Sequence, residues 1–354
     1  MTVTSNPAPD IAAPPQAHHR GKHWIDDWRP EDPEFWNTTG RPIARRNLIF
    51  SIFAEHIGFS VWFLWSMSPG LLAAVGFGYG AEQLFILTSV SSGVGALLRV
   101  PYTFAVPVFG GRNWTIFAAS LLIVPTILAM VVLEPGVSYT TLLVVAAVAG
   151  VGGGNFASSM ANINAFFPEK EKGWALGLNA GGGNLGVPVA QLLGLLVIAT
   201  LGAGSPRVLL AVYLPFIVIS AFLAWKRMDN IAAMSNDTGA FTEACRDRQT
   251  WIMSFLYIGT FGSFIGYSFA FGLVLQNQFD RTPLQAAAVT FIGPLIGSLI
   301  RPYGGKLADR FGGAMVTLWN FVGMAVATLV IIFASGIESL TLFTIGFIAL
   351  FTLS

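Results

Sequence analysis

Residues 95–111 read GALLRVPYTFAVPVFGG, an apolar run that a single charged side chain, Arg99, interrupts. Residues 297–313 read GSLIRPYGGKLADRFGG and place Arg301 the same number of residues before a Gly-Gly pair. The second stretch begins 202 residues after the first, and no gap is needed to align the arginine and both glycines. This spacing predicts two related halves, each with an arginine inside an apolar helix.

The composition indicates a membrane environment for both stretches. Hydrophobic residues make up 54% of the 354 residues and charged residues 10%, whereas a soluble domain carries about 25% charge. Apolar segments of about 20 residues can cross the roughly 30 Å of a bilayer core. The last segment has no polar turn after it, so we expect the chain to be truncated inside a helix. Ten segments are predicted to span the membrane: 48–75, 84–109, 114–133, 140–167, 174–201, 207–226, 250–276, 285–308, 314–335 and 338–354.

The positive charges predict the orientation. Six of the 19 Lys and Arg residues lie before the first span and nine lie in alternate connections, whereas the opposite connections hold only Arg207 and Arg281. Short cytoplasmic loops carry the excess of positive charge in membrane proteins. We therefore expect a multi-pass protein of the cytoplasmic (inner) cell membrane with a cytoplasmic N-terminus.

A second internal similarity, between IGFSVWF at 57–63 and IGYSFAF at 265–271, pairs the first span with the seventh. Helices repeated in the same orientation are typical of two-halved transporters, whose substrate site lies between the halves near the membrane midplane. We expect an all-α polytopic membrane protein with two parallel-related six-helix halves, the second incomplete. The expected parts are a cytoplasmic tail (1–46), a first half (47–226), a cytoplasmic linker (227–249) and a partial second half (250–354).

Arg99 and Arg301 each lie 11 residues before a glycine pair, which is about 16 Å along a helix. That depth is near the middle of the bilayer, where a guanidinium stays charged. Of the 18 Asp and Glu residues, all but Glu55 lie in the tail, in the connections or at the ends of helices. Two buried cations against one acid leave a positive site that an anionic substrate would stabilise.

Two GGGN blocks, at 152–155 and 181–184, lie in the fourth and fifth spans. Glycines allow close helix packing, and that function accounts for most of them. Buried amides need hydrogen-bond partners as well. Amide donors beside two guanidinium forks suit a small planar oxyanion. The asparagines of these two spans are Asn155, Asn162, Asn164, Asn179 and Asn184.

The stretch GGKLADRFGG at 304–313 resembles the loop signature of the major facilitator superfamily, between the eighth and ninth helices. We interpret its charged residues, Lys306, Asp309 and Arg310, as gating residues that tie helix ends together. They are not expected to bind substrate.

Four stretches resemble the nitrate/nitrite porter family (NarK-type) of that superfamily: DWRPEDPEFW, GALLRVPYTFAVPVFGGRNW, NFASSMANINAFFPEKEKGWALGLNAGGGNLG and FGSFIGYSFAF. The resemblance implies twelve helices, alternating access and a nitrate held between Arg99 and Arg301. It implies an aromatic lining of Phe59, Phe156, Tyr257 and Phe261, and a pocket amide at Asn184. The family's second glycine-rich signature, in helix 11, is missing, which agrees with the expected truncation. We expect the implied carrier to act on nitrate and nitrite as a monomer in a lipid bilayer, without nucleic acid.

The coupling mode stays open at this point. A carrier that closes only when an anion joins the two arginines is an obligatory exchanger of nitrate and nitrite. Glu55 and His56 lie on the helical face of Phe59. They predict either a hydrogen-bonded pair, Glu55 with His56 or with Arg99, or a proton site for proton-coupled nitrate symport.

Other functions fit less well. A carrier of the same fold for another small anion is a less favoured alternative, and paired arginines disfavour sugars and cationic drugs. A sensor or channel has no support in the N-terminal tail, which shows no domain-sized apolar pattern. One Cys, four His and no paired carboxylates argue against an enzyme, a metal site or a cofactor.

Overall fold

The computed structural model describes residues 21–234 and 238–354, with the side chains of Ser66, Thr238, Ala240, Pro302, Lys306 and Asp309 excepted. The predicted all-α fold is confirmed. Nine helices of the described residues are long and apolar enough to cross a membrane, and Leu340–Leu353 is a shorter apolar helix. Numbered in chain order, they are helix 1 (Arg41–Met67), helix 2 (Ala81–Phe109), helix 3 (Gly111–Leu121 and Ile123–Val132), helix 4 (Tyr139–Ala149 and Val151–Phe166), helix 5 (Glu169–Asn184 and Gly186–Leu201), helix 6 (Pro206–Arg227), helix 7 (Arg248–Tyr257 and Ser263–Gln278), helix 8 (Pro283–Thr290 and Ile292–Phe311), helix 9 (Gly313–Gly336) and helix 10 (Leu340–Leu353).

The two Gly-Gly pairs adopt the same conformation, as the internal repeat predicts. Helix 2 ends at Gly110, with φ of 88°, and helix 8 ends at Gly312, with φ of 86°. In each pair the second glycine begins the next helix. Glycine is needed at the first position because L side chains rarely adopt a positive φ. The turn is a single residue, so the predicted end of the eighth span at residue 308 is too early: Asp309 and Arg310, like Lys306, belong to the last turns of helix 8.

Glycines bring helices 1, 2 and 4 into backbone contact. A Cβ atom on Gly153 would lie 2.8 Å from the Cα of Gly95, and one on Gly152 would lie 2.7 Å from the carbonyl oxygen of Gly58. Neither position has room for a side chain. The interpretation of these glycines as packing residues is confirmed.

Residues just outside the membrane helices tie the N-terminal segment to the start of the linker. Trp24–Ile25 (β1) pairs in parallel with Asn230–Ile231 (β2). Asp229 accepts hydrogen bonds from Arg46 and Asn47 of helix 1. We call this side of the molecule the N-terminal face and the other side the opposite face.

The halves meet through helix 5 against helix 8 and through helices 1 and 2 against helix 7. Toward the opposite face, the ring of Phe269 in helix 7 lies 5.0 Å from Trp62 and 5.3 Å from Phe63 of helix 1, between centroids. This aromatic contact closes the interface between the halves on that side.

Candidate functional site

The arginines of the two halves converge on one aromatic ring. The Cζ atom of Arg99 lies 4.7 Å from the ring centroid of Phe261, and that of Arg301 lies 5.2 Å from it. Phe261 is 2% exposed and belongs to a π-helical turn, Ile258–Gly262, inside helix 7. Such turns widen a helix locally and often occur at functional sites. The first half therefore meets the second at this ring.

Further rings extend the contact around Phe261. Arg99 lies 5.1 Å from the ring of Phe156, and that ring stacks on Phe261 at 5.1 Å. The ring of Tyr257 also stacks on that of Phe261, at 5.1 Å between centroids, and its hydroxyl faces Arg99. Phe59 contacts Phe156 edge-on at 5.9 Å. The sequence-predicted aromatic residues thus lie together around the arginines.

Guanidinium groups over aromatic faces gain cation–π stabilisation, about 2 kcal/mol when desolvated, and keep their N–H edges free for an acceptor. Arg99 Nε donates a long hydrogen bond, 3.4 Å, to the carbonyl of Gly153. The Nε atom of Arg301 is buried and has no hydrogen-bond partner among the described residues. Neither arginine forms a salt bridge with a described carboxylate. The site can therefore bind an anion through donors that the protein leaves unused.

Glu55 is the buried acid nearest to this site, at 1% exposure. Its Oε2 accepts hydrogen bonds from Ser159 at 2.6 Å and Asn179 at 2.7 Å, whereas Oε1 has no partner among the described residues. Arg99 and Arg301 both act electrostatically on its carboxylate. Helices 4 and 5 therefore hold the carboxylate, and the arginines supply its positive surroundings.

The predicted pairing of Glu55 with His56 or with Arg99 is wrong. His56 Nδ1 lies 3.2 Å from the carbonyl oxygen of Gly182. Adjacent residues of a helix point about 100° apart, so the two side chains reach different positions on helix 5. Of these two residues, Glu55 is the one with buried polar side chains beside it on two helices, Ser159 on helix 4 and Asn179 on helix 5.

Asn184 ends the first part of helix 5 and is fully buried. Neither of its side-chain polar atoms has a hydrogen-bond partner within the described part of the chain. The buried Oδ1 of Asn155 also has no hydrogen-bond partner among the described residues. Unpaired buried amides are costly, and they leave donors and acceptors for a ligand or for water.

The sequence profile of the Major Facilitator Superfamily matches residues 48–354. The chain is 41% identical over 327 residues to the nitrate/nitrite transporter NarU of Escherichia coli (strain K12), covering 88% of this chain and 70% of that protein. It is 35% identical over 333 residues to the probable nitrate/nitrite antiporter NarK2 of Thermus thermophilus, covering 87% of this chain and 74% of that protein. The chain belongs to the nitrate/nitrite porter family of the major facilitator superfamily.

Solved structures agree on the fold. The chain superimposes on the partially occluded inward-open xylose transporter XylE of E. coli with a TM-score of 0.67 at 13% identity, covering 88% of this chain and 82% of that one. A bacterial homologue of human Spinster gives a TM-score of 0.62 at 18% identity, covering 88% and 74%. The resemblance noted in the sequence and the major facilitator fold are both confirmed, and the protein is a multi-pass membrane transporter.

The residues predicted to act in gating belong to the end of helix 8, at the N-terminal face and away from the arginines. Arg310 stacks on Phe311, 5.2 Å from its ring centroid. The side chains of Lys306 and Asp309 lie outside the described residues, so their gating function stays a prediction.

Sequence reasoning missed several neighbours of the site. Phe264 lies 5.0 Å from the Cζ atom of Arg301, and Trp62 lies 6.0 Å from that of Arg99. Ser159 is a hydrogen-bond partner of Glu55. Phe264 follows Phe261 by three residues, so helical spacing could have indicated it. Nothing in the sequence distinguishes Ser159 from Ser158 beside it.

Proposed function

We propose that this porter carries nitrate and nitrite across the cytoplasmic membrane by alternating access, exchanging one anion for the other. One observation carries the proposal: Arg99 of the first half and Arg301 of the second lie on the same ring, Phe261. An anion bound there interacts with both halves at once. The printed names of the relatives, nitrate/nitrite transporter and antiporter, support the same substrates.

The aromatic surroundings support a flat substrate. Phe156, Phe261 and Tyr257 form a stack of parallel or nearly parallel rings, with interplanar angles of 24° and 11°. A planar anion can lie along such rings while guanidinium forks bind its edge oxygens. A tetrahedral sulfate or phosphate carries oxygens out of that plane and fits less well.

Charge favours exchange over symport. With Glu55 ionised, the two arginines leave one net positive charge in the empty site, and a monovalent anion brings the sum to zero. Burying a net charge between the halves is costly in a low dielectric. The loaded carrier therefore closes more readily than the empty one, and each anion must be replaced by another. Glu55 acts as a fixed counter-charge in this scheme.

Proton-coupled nitrate symport is the second candidate, and a cavity beside Glu55 favours it. The side chain of Glu55 lines a small polar cavity between helices 1, 3 and 4. Its Oε1 has no hydrogen-bond partner among the described residues. The other polar lining residues of the cavity are Ser51, Thr115, Asn155, Ser158 and Ser159. Water there could deliver a proton to Glu55, whereas His56 does not line the cavity.

We propose the following topology for the cycle. The N-terminal face is cytoplasmic, the halves are 47–226 and 250–354, and residues 227–249 link them. The charged end of helix 8, with Lys306, Asp309 and Arg310, gates that face. The carrier works as a monomer, since the site is built from one chain.

Reconstituted vesicles test the coupling. We expect labelled nitrate to enter quickly only when the lumen contains nitrate or nitrite, and a proton gradient to change the rate little. Uptake into anion-free vesicles that follows an inward proton gradient would establish symport instead. A chain that moves neither anion under either condition would disprove the proposed substrates.

A further inference from the structure

A cavity lies between the halves on the far side of the aromatic contact described above. It is bounded by helices 1 and 5 of the first half and by helices 7 and 8 of the second, near the opposite face. Phe63 and Phe269 line it. Trp62, whose ring contacts Phe269, lies 6.0 Å from Arg99 Cζ. One layer of rings therefore separates the cavity from the arginine site.

The cavity has polar groups from both halves, and none of the described residues that line it is charged. Gln191 of helix 5 is 2% exposed, and its Oε1 has no hydrogen-bond partner among the described residues. Gln276 of helix 7 packs its amide nitrogen against Gly70, where a Cβ atom would lie 2.8 Å away. Ser268 and Thr290 complete the polar lining. The room inside is about 50 Å³, which is enough for one or two waters or for one small anion.

We propose that this cavity is a second, uncharged binding site for the small oxyanion, used between the arginine site and the opposite face. The inference rests on the proposed function. The hydroxyls of Ser268 and Thr290 donate to carbonyls of their own helices, so the amide N–H groups of Gln191 and Gln276 are the donors for an anion. Neutral donors bind an anion more weakly than charged donors do. A transport pathway needs such weak sites, because an ion must be bound well enough to enter and loosely enough to leave.

The position of the cavity fits this use. Gln191 and Gln276 belong to different halves, so movement of the halves changes the distance between their amides. Gln276 follows Phe269 by seven residues, about 10 Å along helix 7. When Phe269 moves away from Trp62 and Phe63, the arginine site and the cavity become continuous.

Charge substitution tests the second site. In Gln276→Glu and Gln191→Glu, a carboxylate would repel the anion in the cavity but leave the arginines intact. We expect nitrate affinity within about threefold of wild type and nitrate/nitrite exchange slower by about tenfold or more. The matched control is Gln83→Glu, near the opposite face but outside the cavity, where a glutamate can still accept the hydrogen bond from Gly80 that Gln83 accepts.

A second variant makes the site visible in a binding measurement. In Gln276→Lys, a positive charge should turn the weak site into a strong one, so that titration calorimetry detects two bound nitrate ions instead of one. Wild-type exchange rates in both glutamate variants, together with one nitrate in the lysine variant, would mean that the cavity holds only water. Loss of nitrate binding in both glutamate variants would equally overturn the inference. Wild-type protein that binds no nitrate would overturn the proposed function itself, and this inference with it.

Discussion

At the residue scale, Phe261 connects the two halves of the site. Its ring contacts a guanidinium from each half and stacks on Phe156 and Tyr257. The ring orients both arginines without supplying an acid that would neutralise them. Charge and orientation are therefore provided by different residues, and substitutions can separate the two.

Phe261→Leu should keep both charges and lose the ring that orients them. Cation–π contacts are worth about 0.5–2 kcal/mol each, so we expect nitrate affinity to fall by about tenfold and the preference for nitrate over sulfate to shrink. Competition binding to purified protein measures both quantities. Phe333→Leu, at an exposed position of helix 9, is the control and should bind like wild type. Unchanged affinity and selectivity in Phe261→Leu would show that the ring does not orient the arginines.

Glu55→Gln tests the counter-charge. The substitution removes one negative charge and keeps a side chain that can accept from Ser159 and Asn179. We expect the more positive site to bind nitrate several-fold more tightly, because opposite charges attract strongly in a low dielectric, and to exchange it more slowly. Binding and vesicle flux, each measured from pH 5 to pH 8, check this. Weaker nitrate binding in Glu55→Gln would favour the proton site. Uptake that depends on pH in the wild type but not in the variant would favour it as well.

At the element scale, close contact between helices 2 and 4 positions Arg99. Gly95 and Gly153 have no Cβ atoms, which lets the two helices approach closely. The same approach brings the carbonyl of Gly153 within hydrogen-bond distance of Arg99 Nε. The backbone of helix 4 thus lies directly beside the arginine, and a change in helix spacing displaces the guanidinium.

Gly153→Ala should force these helices apart. Its Cβ would lie 2.8 Å from a backbone atom, and overpacking of this kind costs about 1–3 kcal/mol. Thermal unfolding in detergent should show a lower midpoint, and nitrate binding should weaken. Gly177→Ala is the matched control, because no atom of the described residues lies within 4 Å of a Cβ there, and it should unfold at or above the wild-type temperature. Equal midpoints for the two variants would contradict the packing account.

The sequence predicted what local patterns specify, and it failed where partners come from distant segments. The arginines, the aromatic residues and the glycine turns were identified from spacing and resemblance, and the structure brings the arginines and the aromatic residues together. The hydrogen bonds of Glu55 to Ser159 and Asn179 depend on the rotation of helices 4 and 5, which no local pattern encodes. The pairing of Trp24–Ile25 with Asn230–Ile231 was missed for a similar reason, since two-residue strands carry no periodicity.

At the scale of the whole molecule, the site and the interface between the halves are the same region. Arg99 and Arg301 meet at Phe261, and the aromatic contact of Trp62 with Phe269 closes the interface toward the opposite face. An anion that holds the arginines together can therefore bias the position of one half against the other. This coupling is the physical basis of the proposed exchange.

A double-mutant cycle on nitrate binding tests the central claim, that Arg99 and Arg301 bind one anion together. We expect Arg99→Lys and Arg301→Lys each to weaken nitrate binding by about 10- to 100-fold, since a lysine cannot make the bidentate contact. Arg207→Lys, which alters an exposed ion pair with Glu134, should have no effect. Because residues that share a ligand are not additive, the double variant should lose much less than the product of the two single losses. Single variants with wild-type affinity, or fully multiplicative losses, would contradict the account.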